Sequence, residues 1–172
     1  MKYLVVSDSH GDRDILEEIK KEWSGKVNHF FHNGDSELYS DDELWKTYTV
    51  VGGNMDTRSG YSPVQVTKIG GDVIFQTHGH IQGINYDFSQ LYREAEVSGA
   101  TICLYGHLHK ISANLHNGIL YVNPGSISLP RGEILEKAYA VIEATGDKFY
   151  VQYFDRSHQP LAQLQYTFNR TK

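Results

Sequence analysis

The sequence predicts a single α/β domain built from two packed β-sheets with helices on their outer faces. The chain opens with a strand–helix–strand pattern, which is typical of parallel β-sheet. Its later part contains three hairpin signals, in which glycine-containing turns join pairs of apolar runs. Two packed sheets accommodate so many strands. No repeat, linker or low-complexity stretch divides the 172 residues, so one domain over residues 1–172 is predicted.

The opening unit begins with Tyr3 to Val6, a continuous apolar run of the kind found in strands buried on both faces. Asp12 is a good cap for the following helix, which Gly25 can end. Val27 to Phe31 is predicted as a second strand, parallel to the first. The helix is indicated by apolar residues at helical spacing, which are Ile15, Leu16, Ile19 and Trp23.

The remaining elements follow from the same periodicities. A short helix is predicted over 41–45, and a longer one has an apolar face between Phe88 and Ala95 and ends at Gly99. A loop is predicted over 57–63. Strands are predicted at 48–51, 64–69, 72–77, 101–105, 112–116, 119–122, 138–144, 148–154 and 163–168.

Composition and charge exclude several classes of protein. Sixteen Lys and Arg against 21 Asp and Glu give a net charge of −5, which argues against nucleic acid as a stable partner. The apolar runs are far shorter than the roughly 20 residues that span a membrane, and the N-terminal run is too short for a signal peptide. The single cysteine, Cys103, cannot form an internal disulfide and is predicted as a small core residue. A cytoplasmic protein is predicted.

Polar residues follow the predicted strands with unusual regularity. Asp, Asn or His occurs directly after six strands, within residues 7–11, 32–35, 52–56, 78–80, 106–109 and 123–126. Ligand-binding groups of open α/β sheets gather beyond the carboxyl ends of the strands. Each short motif alone is weak, but the ordered set predicts one polyvalent site.

The residue types in these loops predict a site for two divalent metal ions. Imidazole, carboxylate and amide groups suit ions such as Mn²⁺, Fe²⁺ or Zn²⁺, and the absence of cysteine argues against a structural zinc site. One tetrahedral ion would use about four ligands, so a larger set indicates two ions that share the two oxygens of Asp35. The candidate ligands are Asp8, His10, Asp35, Asn54, His78, His107 and His109.

From Asp8 to about Pro130 the chain resembles the calcineurin-like metallophosphoesterases, and most closely the small YfcE-type phosphodiesterases of bacteria and archaea. The resemblance implies a four-layer αββα sandwich, in which helices flank two mixed β-sheets (the metallo-dependent phosphatase fold). It implies one ion on Asp8, His10, Asp35 and His109, and another on Asp35, Asn54, His78 and His107.

The same resemblance implies hydrolysis of a small phosphodiester substrate by attack of a metal-bound hydroxide, with Asn54 also touching the phosphoryl group. Mn²⁺ is the expected ion, and Fe, Zn, Ni or Co are alternatives. Because the family contains dimers and larger assemblies, it is compatible with a homo-oligomer. Two alternatives stay open: a phosphomonoesterase, and a non-catalytic, metal-binding scaffold for protein interactions, since a retromer subunit shares this fold.

One position departs from the family pattern. Larger relatives carry a histidine after the asparagine of the third motif, where this chain has Met55. Methionine cannot donate a proton, so a contribution of roughly 10²- to 10⁴-fold is missing or relocated. His80 is the nearest substitute and is predicted as a catalytic donor. Esters with good leaving groups, such as aryl esters, should therefore be hydrolysed better than alkyl esters.

Several other residues have predicted roles outside the ligand set. His32 either orients a ligand or packs in the core, and both interpretations stay open. The segment 123–126 is expected to shape the mouth of the site, and Arg131 is placed outside the site. Loops 58–63 and 83–88 are expected to influence substrate choice. Metal binding is not expected of His29, His116 and His158.

Overall fold

The structure is a computed structural model that describes residues 1–57 and 60–170, so Arg58 and Ser59 of the predicted 57–63 loop lie outside the described residues. Its elements, in chain order, are β1 (Lys2–Val6), α1 (Arg13–Trp23), β2 (His29–His32), a 3₁₀-helix (Glu43–Lys46), β3 (Tyr48–Val50), β4 (Val64–Ile69), β5 (Asp72–Thr77), α2 (Ser89–Val97), β6 (Ile102–Leu104), β7 (Ile111–His116), β8 (Ile119–Pro124), β9 (Ala138–Ala144), β10 (Lys148–Asp155) and β11 (Pro160–Asn169).

The strands form two mixed sheets. The first sheet has the order β11-β10-β9-β1-β2-β3, and the second has the order β4-β5-β6-β8-β7. Strands β1, β2 and β3 are mutually parallel, as are β5, β6 and β8, whereas β4, β7, β9, β10 and β11 pair antiparallel with their neighbours. The predicted parallel opening unit and the three predicted hairpins are therefore confirmed.

Three apolar layers separate four layers of secondary structure. Tyr3 and Val5 point between the sheets, while Leu4 and Val6 on the opposite face of β1 pack with the apolar side of α1. In β6, Cys103 packs instead with the apolar side of α2, on the outer face of the second sheet, and is fully buried as predicted. The αββα sandwich is thus confirmed.

Helix α1 shows how local sequence sets an element. The Asp12 carboxylate accepts the N–H of Ile15 at 3.2 Å, which caps the helix at its predicted start. Ile15, Leu16 and Ile19 are then buried against the first sheet. Burial of each such side chain contributes about 1.5–3 kcal/mol relative to exposure, which is enough to hold this short helix in place.

Several predicted boundaries differ from the structure by one to three residues, and two of the differences have a clear local cause. Strand β2 begins at His29 rather than Val27, because the side chain of Asn28 accepts the Lys2 N–H at 2.7 Å. The short helix is a 3₁₀ turn that starts later than predicted, because the Asp42 carboxylate caps it by accepting the Leu44 N–H at 2.9 Å. Among the described residues, no helix has the length and apolar character needed to cross a membrane.

Candidate metal centre

The carboxyl ends of all six parallel strands meet at one edge of the sandwich. Hydrogen bonds join the two sheets there. Asn33 Nδ2 donates to the Tyr105 carbonyl at 2.9 Å, and Gln76 Nε2 donates to the His32 carbonyl at 2.9 Å. The loops that follow the strands therefore converge on one place, as the sequence predicted.

Four of the predicted ligands, Asp8, His10, Asp35 and His109, form one cluster at this edge. One potential ligand atom from each lies within 4.8 Å of the other three. His109 Nε2 is 3.1 Å from Asp8 Oδ1 and 3.2 Å from His10 Nε2. His10 is half-buried and the other three are buried. These are the same four residues that the family resemblance implies for the first ion.

Five of the seven predicted ligands have a left-handed backbone, a conformation that costs an L-residue about 1 kcal/mol or more. Their φ angles are 54° at Asp8, 45° at His10, 53° at Asp35, 67° at His107 and 56° at His109. The first two are held by backbone bonds, because the N–H groups of Asp8 and His10 each donate at 3.0 Å to the turn after β2. Such strain is characteristic of functional sites.

Three of the histidines are fixed in the same tautomer. The Nδ1–H of His10 donates to the Glu37 carboxylate at 2.6 Å. The Nδ1–H groups of His78 and His109 donate to backbone carbonyls at 2.7 Å and 2.6 Å. Because each partner can only accept, Nδ1 carries the proton and Nε2 of the neutral ring is a bare lone pair. Metal-binding histidines are oriented in this way.

Among the described residues, no hydrogen-bond donor faces the central lone pairs of this cluster while its histidines are neutral. Asp8 Oδ2 accepts the Ser7 hydroxyl at 2.5 Å and the His107 N–H at 3.2 Å. In the described ranges, Asp8 Oδ1 is buried without a hydrogen-bond partner while the histidines are neutral, and the Nε2 atoms of His10 and His109 face it and each other. An unpaired buried acceptor is costly. A divalent cation would satisfy all three groups, so these residues fit the metal that the family implies.

The charges of the site shift the pKa of its members. Burial opposes ionisation of Asp35, but its contacts with His78 and the Met55 N–H outweigh burial and lower its pKa to about 2. Burial disfavours the protonated form of His78 and of His109, but the neighbouring carboxylates outweigh it and raise the pKa of both. The local field therefore favours positive charge.

The other predicted ligands, Asn54, His78 and His107, lie beside this cluster in a more open arrangement; with Asp35 they are called the second set. His78 Nε2 is 3.3 Å from Asp35 Oδ2 and 3.2 Å from Asn54 Oδ1. The His107 ring centroid is 5.1 Å from that of His78, and its Nε2 meets the Asn85 side chain at 2.9 Å. Asp35 contacts both sets, which is the placement that a bridging ligand requires.

Glycines allow the close approach of these loops. A Cβ atom at Gly53 would lie 2.1 Å from Asp35 Oδ1, and one at Gly34 would lie 2.8 Å from His78 Nδ1. A Cβ atom at Gly106 would lie 2.8 Å from Asp8 Oδ2. None of these distances is compatible with a side chain, so the glycines of the motifs are needed for packing as well as for turning.

Two supporting residues were not predicted from the sequence. The Asp56 carboxylate accepts the backbone N–H groups of Asp35 (2.8 Å), Glu37 (2.7 Å) and Gly53 (2.8 Å), so it joins the loops after β2 and β3. Glu37 fixes the tautomer of His10. An Asp in a glycine-rich turn is a signal for backbone hydrogen bonding, but nothing in the sequence marks Glu37.

His80, the predicted proton donor, lies beside His78 and His107 of the second set. Its ring centroid is 5.3 Å from that of His78 and 6.1 Å from that of His107. The ring is half-buried, and its Nδ1 is buried without a hydrogen-bond partner among residues 1–57 and 60–170. Met55 is 48% exposed and offers no donor. His80 is therefore near enough to the ligands for the predicted role, which remains a prediction.

His32 is fully buried and contacts two ligand loops. Its Nε2 is 2.9 Å from Ser9 Oγ, and its Nδ1 accepts the Gly34 N–H at 3.2 Å. Burial lowers its pKa to about 4. Of the two interpretations left open by the sequence, the contacts favour the orienting role, because both partners flank predicted ligands.

The segment 123–126 forms hydrogen bonds to two of the loops that carry predicted ligands. Ser126 Oγ donates to the Asp8 carbonyl at 2.7 Å, and Asn123 Nδ2 donates to the Gly106 carbonyl at 2.9 Å. The backbone N–H of Arg131 donates to the His109 carbonyl at 2.9 Å. The segment therefore braces two ligand loops.

Comparison with protein families agrees with this geometry. The model of the calcineurin-like phosphoesterase superfamily domain matches residues 1–148. The chain belongs to this superfamily. The matched range contains every predicted ligand. The family is metal-dependent, so a metal-dependent phosphoesterase is the activity class that both the family and the donor set support.

Individual members of the superfamily cover nearly the whole chain. The chain is 34% identical to the probable metallophosphoesterase YsnB of Bacillus subtilis (strain 168), over 96% of this chain and 97% of YsnB. A crystal structure of a conserved uncharacterised protein, a predicted phosphoesterase from Streptococcus pneumoniae TIGR4, is 48% identical with a TM-score of 0.96, over 98% of this chain and 97% of that chain.

More distant structures share the fold. The phosphoesterase YfcE of E. coli is 20% identical with a TM-score of 0.66, over 96% of this chain and 98% of that chain. Vps29 of Entamoeba histolytica, solved in complex with Zn²⁺, is 19% identical with a TM-score of 0.69, over 98% of each chain. At these identities the likeness concerns the fold alone. The predicted family, including its likeness to YfcE, is confirmed.

Proposed function

We propose that the protein is a phosphodiesterase that uses two divalent metal ions. The observation that carries this proposal is the convergence of unpaired acceptors in the cluster. Within the described part of the chain, Asp8 Oδ1 has no hydrogen-bond partner, and the bare Nε2 atoms of His10 and His109 face the same space. With both rings neutral, all of these groups accept and none donates, so the cluster is suited to a cation rather than to a protein contact.

The ligands divide between two ions as the family resemblance implies. The first ion would be held by Asp8, His10, Asp35 and His109, and the second by Asp35, Asn54, His78 and His107. Two such ions lower the pKa of a water molecule and offset negative charge on the phosphoryl oxygens. Mn²⁺ is the proposed ion because it suits mixed oxygen and imidazole ligands, and Fe, Zn, Ni or Co fit the same set.

Two side chains of the site, Asn54 and His80, have separate proposed roles. Asn54 is exposed, so its amide can donate to a phosphoryl oxygen. His80 is the candidate that protonates the leaving oxygen, because its ring lies beside those of His78 and His107. Met55 cannot serve as that donor. We therefore propose that aryl phosphodiesters are hydrolysed faster than alkyl phosphodiesters.

The experiment uses protein stripped with a chelator and reloaded with Mn²⁺. Hydrolysis of bis(4-nitrophenyl) phosphate should return on reloading, at a higher rate than hydrolysis of 4-nitrophenyl phosphate. Asp35→Ala and His78→Ala should each lower the rate by at least about 100-fold with unchanged circular dichroism. His116→Ala is the matched control, because His116 stacks on Tyr92 at 4.0 Å, away from the cluster.

The same experiment separates the alternatives. A faster rate on the monoester would establish a phosphomonoesterase, which needs the same residues. The likeness to Vps29 is the observation that favours a metal-binding scaffold for protein interactions. Protein that binds ions but is inert on both esters, with each of the five metals, would contradict the enzyme and favour the scaffold.

A small phosphoester is the partner that we propose for the site. We further propose a cytoplasmic location and one domain over residues 1–172, on the charge and composition of the chain. Self-association is proposed on the family resemblance, and sedimentation of the metal-loaded protein would measure it.

A further inference from the structure

His107 is held differently from the other three histidines of the site. In His10, His78 and His109 an acceptor holds Nδ1–H and leaves Nε2 bare. In His107 it is Nε2 that has a partner, the side-chain amide Nδ2 of Asn85 at 2.9 Å. The nitrogen that His107 can offer to an ion is therefore Nδ1.

The loop that carries Asn85 is built to present it. Ile84, its neighbour, is only 3% exposed and packs so closely on Gly79 that a Cβ atom there would lie 2.4 Å from Ile84 Cδ1. The Gly83 N–H donates to the His80 carbonyl at 3.2 Å, which closes the turn. Asn85 is exposed, but its buried neighbour fixes where its side chain begins.

The direction of this hydrogen bond decides whether His107 can bind an ion. An amide NH₂ group donates, so Nε2 accepts and the proton of the neutral ring is on Nδ1. That tautomer has no free lone pair. If the Asn85 amide rotates by 180° about its Cβ–Cγ bond, its oxygen accepts from Nε2–H of His107. The Nδ1 atom of that tautomer then carries a free lone pair. A carboxylate or a carbonyl, such as those that hold the other three rings, serves only one tautomer.

We propose that Asn85 is a positioning residue for His107, and that its amide reverses when the second ion binds. The ring releases the Nδ1 proton to solvent and takes up one proton on Nε2, so its proton count is unchanged. This inference rests on the proposed function in that it requires a second ion. It implies that the second ion binds more weakly than the first, because the rings of His10 and His109 are preset and that of His107 is not.

The test follows the tautomers directly in ¹⁵N-labelled protein at mildly alkaline pH, with Zn²⁺ as a diamagnetic probe. Long-range ¹H–¹⁵N spectra should show protonated Nδ1 on His107 without metal and protonated Nε2 with excess Zn²⁺. His10, His78 and His109 should keep protonated Nδ1 throughout. Because an ion on Nδ1 requires the proton on Nε2 whatever Asn85 does, the metal-free tautomer is the reading that depends on Asn85, and protonated Nε2 on His107 without metal would show that Asn85 does not set it.

Variants sharpen the test through the affinity for Zn²⁺, measured by titration calorimetry. Asn85→Ala should weaken the second ion by about 10- to 100-fold and leave the first within about twofold. Asn85→Asp should restore the second ion and show protonated Nε2 on His107 even without metal, since a carboxylate only accepts. Asn117→Ala, in an exposed turn where Asn117 contacts Glu96, is the matched control.

Each outcome decides the matter. An unchanged His107 tautomer, or wild-type affinity for the second ion in Asn85→Ala, overturns this inference but leaves the phosphodiesterase proposal standing if the diester is still hydrolysed. Wild-type protein that binds fewer than two ions overturns both. The expected pattern, with the tautomer change and the selective loss at the second ion, supports both.

Discussion

Two buried aspartates, Asp72 and Asp8, lie at opposite ends of the sandwich, and they differ in how far their oxygens are satisfied by hydrogen bonds. At the start of β5, Asp72 has both oxygens satisfied: Oδ2 accepts the Tyr3 hydroxyl at 2.7 Å, and Oδ1 accepts from Arg170 at 2.6 Å and from Thr101 at 3.2 Å. Beyond the end of β1, Asp8 is buried to the same degree but has one oxygen without a partner.

The difference separates a structural carboxylate from a ligand. A satisfied buried charge contributes to the fold as it stands, whereas an unpartnered one is stabilised only when something binds. Asp72 joins β5 to the residue that follows β11, and its contacts stabilise the chain. Asp8 is held in a left-handed conformation, and its free oxygen faces the Nε2 atoms of three histidines, His10, His78 and His109. The same substitution at the two sites should therefore have opposite consequences.

The largest expected effect is that of Asp8→Asn on the rate of hydrolysis. The amide places an NH₂ group where the unpartnered oxygen was, so one donor replaces one ligand. We expect hydrolysis of bis(4-nitrophenyl) phosphate by the Mn²⁺-loaded protein to fall by about 10³-fold. Asp72→Asn is the matched control and should stay within about twofold. Equal losses in the two variants would remove the distinction between the two aspartates.

The next largest effect is a loss of stability in the Asp72→Asn variant. The variant leaves the partly buried Arg170 without its counter-ion, and urea denaturation should show a loss of about 2–3 kcal/mol in the free energy of unfolding. Zn²⁺ affinity, measured by titration calorimetry, should not change. A loss of metal binding here would mean that the two ends of the sandwich are coupled.

Local patterns predicted most of the fold. The Gly70-Gly71 turn gives a hairpin in which Ile69 pairs with Asp72, and the predicted bounds of β4 and β5 agree with the structure. Such elements depend on side-chain alternation and turn chemistry, both of which are written in neighbouring residues. The ligand loops were predicted for the same reason, because each directly follows its strand.

The supporting residues were not predictable, because their partners are distant in sequence. Asp72 meets Arg170 across 98 positions, and Asp56 reaches Asp35 across 21. The Asn85 contact with His107 spans 22 positions and depends on how one turn closes. The choice of tautomer at each histidine also follows from contacts that only the tertiary structure creates.

A smaller effect tests whether His32 supports the ligand end as a neutral residue. Its pKa is lowered to about 4 from an ordinary value of 6.5, so the unfolded chain binds a proton more readily than the folded one. Stability should then be complete above pH 6.5 and fall as the pH drops toward 4, with a loss of about 1–2 kcal/mol by pH 5.

The His32→Gln variant isolates this contribution, because it has no imidazole to protonate. In chelator-treated protein, urea denaturation from pH 8 to pH 5 should show a smaller loss for the variant than for the wild type. Every other titrating group is common to both proteins. Parallel curves would show that His32 is not held neutral by its burial.

The smallest expected effect concerns Asp8→Asn once more, now in protein kept free of metal by a chelator. The new amide can donate to His109 Nε2, which lies 3.1 Å from the replaced oxygen, while the retained oxygen still accepts from Ser7 and from the His107 N–H. Asparagine also tolerates the left-handed backbone found here. The free energy of unfolding at mildly alkaline pH should therefore rise by about 1 kcal/mol. A decrease would mean that the carboxylate is already satisfied without an ion, and that the contrast with Asp72 does not report on metal binding.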